Sequence, residues 1–327
     1  MQAPEEVIGL AELYLRIYFV GMTATMIYNF GSAILRAIGD TKRPLYYLLA
    51  AGVVNVVLNL FFVIVCRLGV AGVAIATVIS QTISAFLVVR CLMKEQGAIR
   101  LELKELRIEK DKLMRILQIG LPAGFQGIVF SLSNVVIQSA INSFGAIAVA
   151  GNSAAANIEG FVYMAMNAFY QATISFTSQN FGAKKKDRIN KILFAGQVYV
   201  VATGLILGSL AVFFGKELLG IYSTSPEVIA AGMVRLQYIC KVYFLCGIMD
   251  VFVGALRGIG YSIMPMFVSL LGACGLRLLW LATVFQIPQY HTQDIIYLSY
   301  PITWVITFTV HALCYIWARK QVDKKLV

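Results

Sequence analysis

Apolar residues run almost without interruption through this 327-residue chain, and polar residues gather in short stretches between the runs. Each run is long enough for an α-helix to cross the hydrocarbon core of a bilayer, which takes about 20 residues. The pattern predicts an all-α integral membrane protein with nine transmembrane helices, segments A to I. They lie at 13–38, 45–66, 69–93, 115–143, 152–180, 191–215, 228–257, 264–286 and 295–317.

The composition agrees with a membrane protein and excludes several other classes. Hydrophobic residues make up 59% of the chain and charged residues 13%, against about 25% charged in soluble domains. The net charge of +11 does not indicate a nucleic-acid partner, because the basic residues lie in short loops between apolar runs. The six cysteines have no CxxC spacing, so we expect neither a zinc site nor disulfides.

The distribution of lysine and arginine predicts an orientation. Short loops rich in these residues stay in the cytoplasm, and here they follow segments A, C, E and I. The richest are the stretch 90–115 and the loop "AKKKDRINK" at 183–191. We therefore expect a multi-pass protein of the bacterial inner membrane with a cytoplasmic C-terminus and the lipid bilayer as its surroundings.

One stretch of sequence occurs twice. "AILRAIGDTKRP" at 33–44 returns as "GALRGIGYSIMP" at 254–265, 221 residues later, and the match extends back to "EVI" at 6–8 and 227–229. Segment A is thus a copy of segment G, and the repeating unit is six helices in parallel orientation. We expect the residues shared by the two copies to be structural, closing a helix at the cytoplasmic face: Arg36, Gly39 and Pro44 in the first, and Arg257, Gly260 and Pro265 in the second.

The repeat predicts the domain organisation. Segments D to I form a complete six-helix bundle at 115–327, whereas segments A to C at 1–93 match only its second half. We therefore expect three further helices upstream of residue 1, giving twelve in two bundles. The segment 94–114 alternates leucine and isoleucine with charges, which predicts a cytoplasmic amphipathic linker.

Polar residues inside the apolar segments are the candidate binding residues, because they are costly at membrane depth and face cavities or other helices. Segment E places Glu159, Tyr163 and Asn167 four residues apart, on one helix face. Segment D aligns Asn134 and Gln138, with Gln126 further along the helix. The two segments could line one cavity; alternatively, the amides only bond across helices.

Two more charges lie within apolar segments. Asp250, in the middle of segment G, is a candidate for binding a proton, a sodium ion or a cationic substrate. Arg277 in segment H is either a binding residue or the partner of a salt bridge to Asp250 or Glu159. No phosphate-binding, zinc-protease or hydrolase motif is present, so we expect a protein that is not an enzyme, with no cofactor beyond a coupling ion and no metal except possible sodium near Asp250.

Ordered motifs along the chain resemble the multidrug and toxin extrusion (MATE) family in its bacterial form. They are "LRAIGDTKRP", "GVAGVAIATVISQ", "IGLPAGFQGIVFSLSNVVIQSAINSFG", "VAGNSAAANIEGFVYMAMNAFYQA" and "TSQNFGAKKKDR". The resemblance covers helices four to twelve of that family. It implies two six-helix bundles and a secondary antiporter that exports cationic, amphiphilic drugs or metabolites in exchange for sodium or protons, by alternating access.

The sequence departs from the family's pattern at its acidic positions. Some members have a glutamate on the seventh helix, where this chain has Gln126, and their tenth-helix aspartate lies about one turn before Asp250. Two alternatives to a monomeric exporter remain. One is a flippase for lipid-linked precursors, which would favour several arginines in the cavity over acids. The other is a truncated remnant that does not transport.

Overall fold

The chain is helical from end to end in the computed structural model, which describes residues 5–325. No strand occurs within that range, so the prediction of an all-α protein is confirmed. The helices form two compact units that divide after Ile108.

The first unit contains four helices packed around a small core. The core side chains include Tyr28, Leu35, Val88 and Leu92. The helices are α1 (Glu5–Val20), α2 (Met22–Ala37), α3 (Lys42–Leu60) and α4 (Gly69–Lys94), and a π-helical turn at Phe61–Val65 prolongs α3.

The second unit contains nine helices, and α6, α7, α9 and α10 surround its main core. They are α5 (Lys110–Asn142), α6 (Ala146–Gly182), α7 (Lys186–Phe213), α8 (Gly215–Gly220), α9 (Pro226–Ile239), α10 (Phe244–Gly258), α11 (Ile263–Ser269), α12 (Leu276–Ala282) and α13 (Gln293–Lys325). A 3-10 turn at Cys240–Val242 joins α9 to α10, and a π-helical stretch at Leu270–Gly275 joins α11 to α12.

Several of these helices are long and apolar enough to cross a membrane. Within the described residues six qualify, or eight if each of two bent pairs counts as one span, against the nine predicted. The six are Lys42–Val65, Gly69–Lys94, Lys110–Asn142, Lys186–Phe213, Ile263–Gln286 and Gln293–Val322. Segment E corresponds to the 37-residue α6, which is neither one of the six helices nor part of a bent pair. That α6 is a ninth transmembrane span stays a prediction.

Each unit contains one pair of consecutive helices that meet at the same angle. Ile8–Val20 meets Met22–Ala37 at 46°, and Pro226–Val242 meets Phe244–Gly258 at the same 46°. Neither break contains a proline, the commonest cause of a sharp kink. The second break has a 3-10 turn instead, a feature that often marks a hinge.

The repeated sequence forms the same helix end in both units. Gly39 and Gly260 have φ values of +89° and +93°, a conformation that costs glycine little because it has no Cβ. The Asp40 amide donates to the Leu35 carbonyl at 3.0 Å, and the Tyr261 amide donates to the Leu256 carbonyl at 2.9 Å. These bonds close both helices in the same C-terminal motif.

The next helix also begins at equivalent positions. Helices α3 and α11 start at Lys42 and Ile263, so Pro44 and Pro265 are each the third residue of a helix. Proline is tolerated there because the first-turn amides have no partner within the helix.

The segment 94–114, predicted to be a cytoplasmic amphipathic linker, is mostly not α-helical, and its place at the membrane surface stays a prediction. It contains two short 3-10 turns, Gly97–Ile99 and Leu103–Glu105, with extended backbone around them. The following helix begins at Lys110, five residues before the predicted start at 115. Leu106 and Ile108 are exposed, so this segment has an apolar surface without being helical.

Candidate functional site

A cavity of about 590 Å³ lies within the second unit, bordered by α5, α6, α9, α10, α12 and α13. Its volume falls in the range of small-molecule sites, about 300–1,000 Å³. Aromatic and aliphatic side chains form much of the wall, among them Phe130, Tyr243, Met249, Tyr300 and Trp304. The polar and charged lining side chains are Gln126, Asn134, Gln138, Asn152, Glu159, Tyr163, Arg235, Asp250, Arg257 and Arg277.

Most of the residues singled out in the sequence meet at this cavity. Those that line it are Gln126, Asn134, Gln138, Glu159, Tyr163, Asp250 and Arg277. Asn167 is outside the lining, although it was expected to share a face with Glu159. Eight residues along a helix of 3.6 residues per turn rotate a side chain by about 80°, enough to turn Asn167 away.

Glu159 forms a buried ion pair with Arg235. The Nε and Nη2 atoms of Arg235 both donate to Oε2 of Glu159, at 3.0 and 2.7 Å. Each residue is 8% exposed. Arg235 was not predicted, although it lies inside apolar segment G and the membrane cost that drew attention to Arg277 applies to it equally.

The ion pair belongs to a longer hydrogen-bond network. Arg235 Nη1 donates to Asn152 Oδ1 at 2.7 Å, and Asn152 Nδ2 donates to Gln138 Oε1 at 3.0 Å. Gln138 then donates to Asn142 Oδ1 at 2.9 Å, and the Tyr297 hydroxyl donates to Asn152 at 3.2 Å. The network ties α9, α6, α5 and α13 together, so Gln138 does bond across helices as well as lining the cavity.

Close packing of α6 against α9 brings Glu159 and Arg235 together. A Cβ atom added to Gly151 would lie 2.7 Å from both the Gly232 amide nitrogen and the Val228 carbonyl oxygen. Only glycine allows two backbones to approach so closely, a feature typical of helix contacts in membranes.

Arg277 is held in the wall of the cavity by neutral partners. Its guanidinium carbon lies 3.9 Å from the centre of the Tyr300 ring, and its Nη2 atom donates to Thr303 Oγ1 at 3.1 Å. The residue is 4% exposed, and its Nε has no partner among the described residues. The salt bridge to Asp250 or Glu159 considered from the sequence is not formed.

Arg257 also reaches the cavity, and the structural role expected of it stays a prediction. Its guanidinium donates to the Tyr170 hydroxyl and, at 2.8 Å, to Gln126 Oε1. Its Nε is buried without a partner among the described residues. Arg36, the equivalent residue of the first unit, is exposed. The repeat therefore preserves the backbone at this position but not the surroundings of the side chain.

Asp250 is the other carboxylate of the cavity. It lies on α10 and interacts with the Tyr163 hydroxyl and with the charge of Arg257, and it forms no ion pair with a described residue. Since Glu159 is paired with Arg235, Asp250 is the cavity carboxylate that is free to bind a cation or a proton.

Three arginines and two carboxylates line the cavity. Of the three arginines, Arg277 was a candidate from the sequence, Arg257 was expected to be structural, and Arg235 was not predicted.

The described residues contain no group of three His, Cys, Asp or Glu side chains that could hold a metal ion. A sodium site near Asp250 stays a prediction. His311, buried in α13, accepts or donates a hydrogen bond with Ser269 Oγ at 3.0 Å and takes no part in the cavity.

Comparison with known proteins identifies the family. The model of the MatE family matches residues 1–61 and 122–282, more than half of the chain. The chain belongs to the MatE family. Both matched regions contain one copy of the internal repeat, and the second includes most of the cavity.

Relatives of this MatE chain are bacterial proteins with transporter names. The probable multidrug resistance protein YpnP of Bacillus subtilis is 31% identical over 85% of this chain and 62% of its own length. The FAD transporter of Shewanella oneidensis is 25% identical, also over 85% of this chain and 62% of its own length. The chain thus spans a little under two thirds of these relatives.

Solved structures agree on the fold. The Vibrio cholerae MATE transporter VcmN in its bent form superposes with a TM-score of 0.82 at 20% identity, covering 98% of this chain and 72% of the other. The MatE fold assigned from the sequence is therefore confirmed at the level of architecture.

Proposed function

We propose that this MatE chain works as a secondary antiporter that exports cationic or amphiphilic drugs or metabolites across the bacterial inner membrane in exchange for protons or sodium ions. The cavity of the second unit binds the substrate, and access to it alternates between the two sides of the membrane. The chain acts as a monomer, not as an enzyme, with its C-terminus in the cytoplasm.

One observation carries the proposal: Asp250, a carboxylate without an ion pair among the described residues, lines a cavity of about 590 Å³ with aromatic walls. Ionisable residues at membrane depth mark substrate and ion pathways. A carboxylate that is not locked in an ion pair can take a proton or a cation on one side of the membrane and release it on the other.

The relatives support drug export as the function. YpnP and MepA of Staphylococcus aureus, the latter 24% identical over 78% of this chain, both have multidrug names. The FAD transporter shows that a related chain also moves an anionic metabolite. The aromatic wall of the cavity suits a small molecule with an apolar body.

The test is efflux from an efflux-deficient bacterium that expresses the gene, including any in-frame sequence upstream of residue 1. Cells are loaded with a fluoroquinolone, and the loss of fluorescence is followed under an imposed proton gradient and, separately, a sodium gradient. Faster efflux under one gradient than in empty-vector cells is expected and identifies the coupling ion. Efflux equal to the empty vector under both gradients would refute the proposal.

A further inference from the structure

The arginines of the cavity exceed the carboxylates available to pair with them. Arg235, Arg257 and Arg277 line it, against Glu159 and Asp250. Arginine stays charged in proteins, since its pKa lies above 12. Two carboxylates neutralise at most two of the three arginines, so the empty cavity retains at least one positive charge.

The excess charge belongs to Arg257 and Arg277. Glu159 is committed to Arg235, which donates two hydrogen bonds to the same carboxylate oxygen. The described partners of Arg257 and Arg277 are neutral: Gln126 and Tyr170 for the first, and Thr303 and the Tyr300 ring for the second. Asp250 can balance only one of these two charges.

Both guanidinium groups also keep an unused donor. The Nε atoms of Arg257 and Arg277 are buried and have no partner among the described residues. Leaving a buried charged donor unsatisfied is costly, and a carboxylate or phosphate matches the planar donor arrangement of arginine. The neutral partners hold each guanidinium in place at the cavity wall.

We propose that this cavity binds amphiphiles that carry an anionic group, a carboxylate or a phosphate, with the anion on Arg257 and Arg277 and the apolar body against Tyr300 and Trp304. This inference rests on the proposed export function and narrows its substrates: a purely cationic compound lacks the group that these two arginines attract.

The test compares two dyes that differ only in this group. Tetramethylrhodamine has a free carboxylate, and its methyl ester has none. Binding of each dye to the purified chain in lipid nanodiscs is measured by fluorescence polarisation. The wild type should bind the acid at least about tenfold more tightly than the ester, as one or two charge-assisted hydrogen bonds would provide.

Variants assign the preference to the two arginines. Arg257→Gln and Arg277→Gln should each reduce the preference for the acid to about threefold or less, whereas Arg188→Gln, an exposed arginine outside the cavity, should keep it. Arg257 is partly exposed, so its variant remains informative if the buried Arg277→Gln fails to fold.

Equal binding of the two dyes by the wild type, binding of neither, or a preference unchanged in Arg257→Gln would overturn the inference. Efflux of the ester from the efflux-deficient cells distinguishes a failure of the anion site from a failure of the export function. If the ester is exported and the acid is not preferred, the anion site is refuted while the export function stands.

Discussion

Arg235 on α9 donates two hydrogen bonds to a single oxygen of Glu159 on α6, 76 residues away in the chain. Both side chains are buried in the wall of the cavity. Because Glu159 is already paired, Asp250 is the other cavity carboxylate that could bind a cation. The cavity then has more arginines than carboxylates. Under the proposed antiport function, Glu159 would be a structural residue of the cavity and Asp250 the acid that couples transport.

Removing one member of the pair should destabilise the protein more than removing both. Arg235→Gln leaves Glu159 as a buried charge without a counterion, which costs about 3–5 kcal/mol of unfolding free energy. The double variant Glu159→Gln with Arg235→Gln should recover most of this loss, because two neutral amides can bond to each other. Thermal unfolding in detergent is measured for Arg235→Gln, for Glu159→Gln and for the double variant. Additive losses in the double variant would mean that the two side chains do not interact.

Asp250 should be required for transport but not for folding. Asp250→Asn removes the carboxylate that exchanges ions with the gradient, so coupled efflux should fall to the level of empty-vector cells while the melting temperature stays near that of the wild type. Asp187→Asn, at an exposed carboxylate in the first turn of α7, is the matched control and should transport normally. Wild-type efflux by Asp250→Asn would exclude this residue from coupling.

The contact between α6 and α9 should depend on the absence of a side chain at Gly151. Gly151→Ala places a Cβ at 2.7 Å from two backbone atoms of α9, so the helices must separate and the melting temperature should drop. Gly160→Ala on the same helix has open space around its Cβ and should not lower it. Equal melting temperatures for both variants would contradict the close packing.

The two copies of the repeat should respond alike to the loss of their glycines. Alanine at Gly39 or Gly260 must adopt a positive φ, at a cost of about 1–2 kcal/mol. Gly52→Ala in the interior of α3 should instead stabilise the helix by about 0.5–1 kcal/mol. Chemical unfolding of the three variants is the measurement, and a neutral effect at only one of the two repeat positions would show that the copies are not equivalent.

The sequence predicted the helices and the repeat because both depend on local patterns. Apolar runs of membrane length identify spans, and identical residues such as Gly39 and Gly260 reveal equivalent helix ends. It also identified Glu159 and Asp250, because a lone carboxylate at membrane depth needs an explanation. These inferences require only the residue, its neighbours in the chain and the bilayer.

Pairings and side-chain directions were beyond the sequence. Nothing local assigns Glu159 to Arg235 instead of Arg277, since the choice depends on how closely α6 approaches α9. Arg257 was expected to be structural because its sequence surroundings match those of Arg36, yet one faces the cavity and the other is exposed. The 46° bends were also missed, because neither break contains proline.

Filling the cavity without changing its charge is the most direct test of its role. Ala156 lines the cavity on α6, and Ala168 is exposed on the same helix, outside the cavity. Binding of tetramethylrhodamine to the purified chain in nanodiscs is compared for wild type, Ala156→Trp and Ala168→Trp. We expect Ala168→Trp to bind like the wild type and Ala156→Trp to lose at least about tenfold in affinity, because the indole occupies the space of the dye. Unchanged binding by a folded Ala156→Trp would contradict the assignment of this cavity as the substrate site.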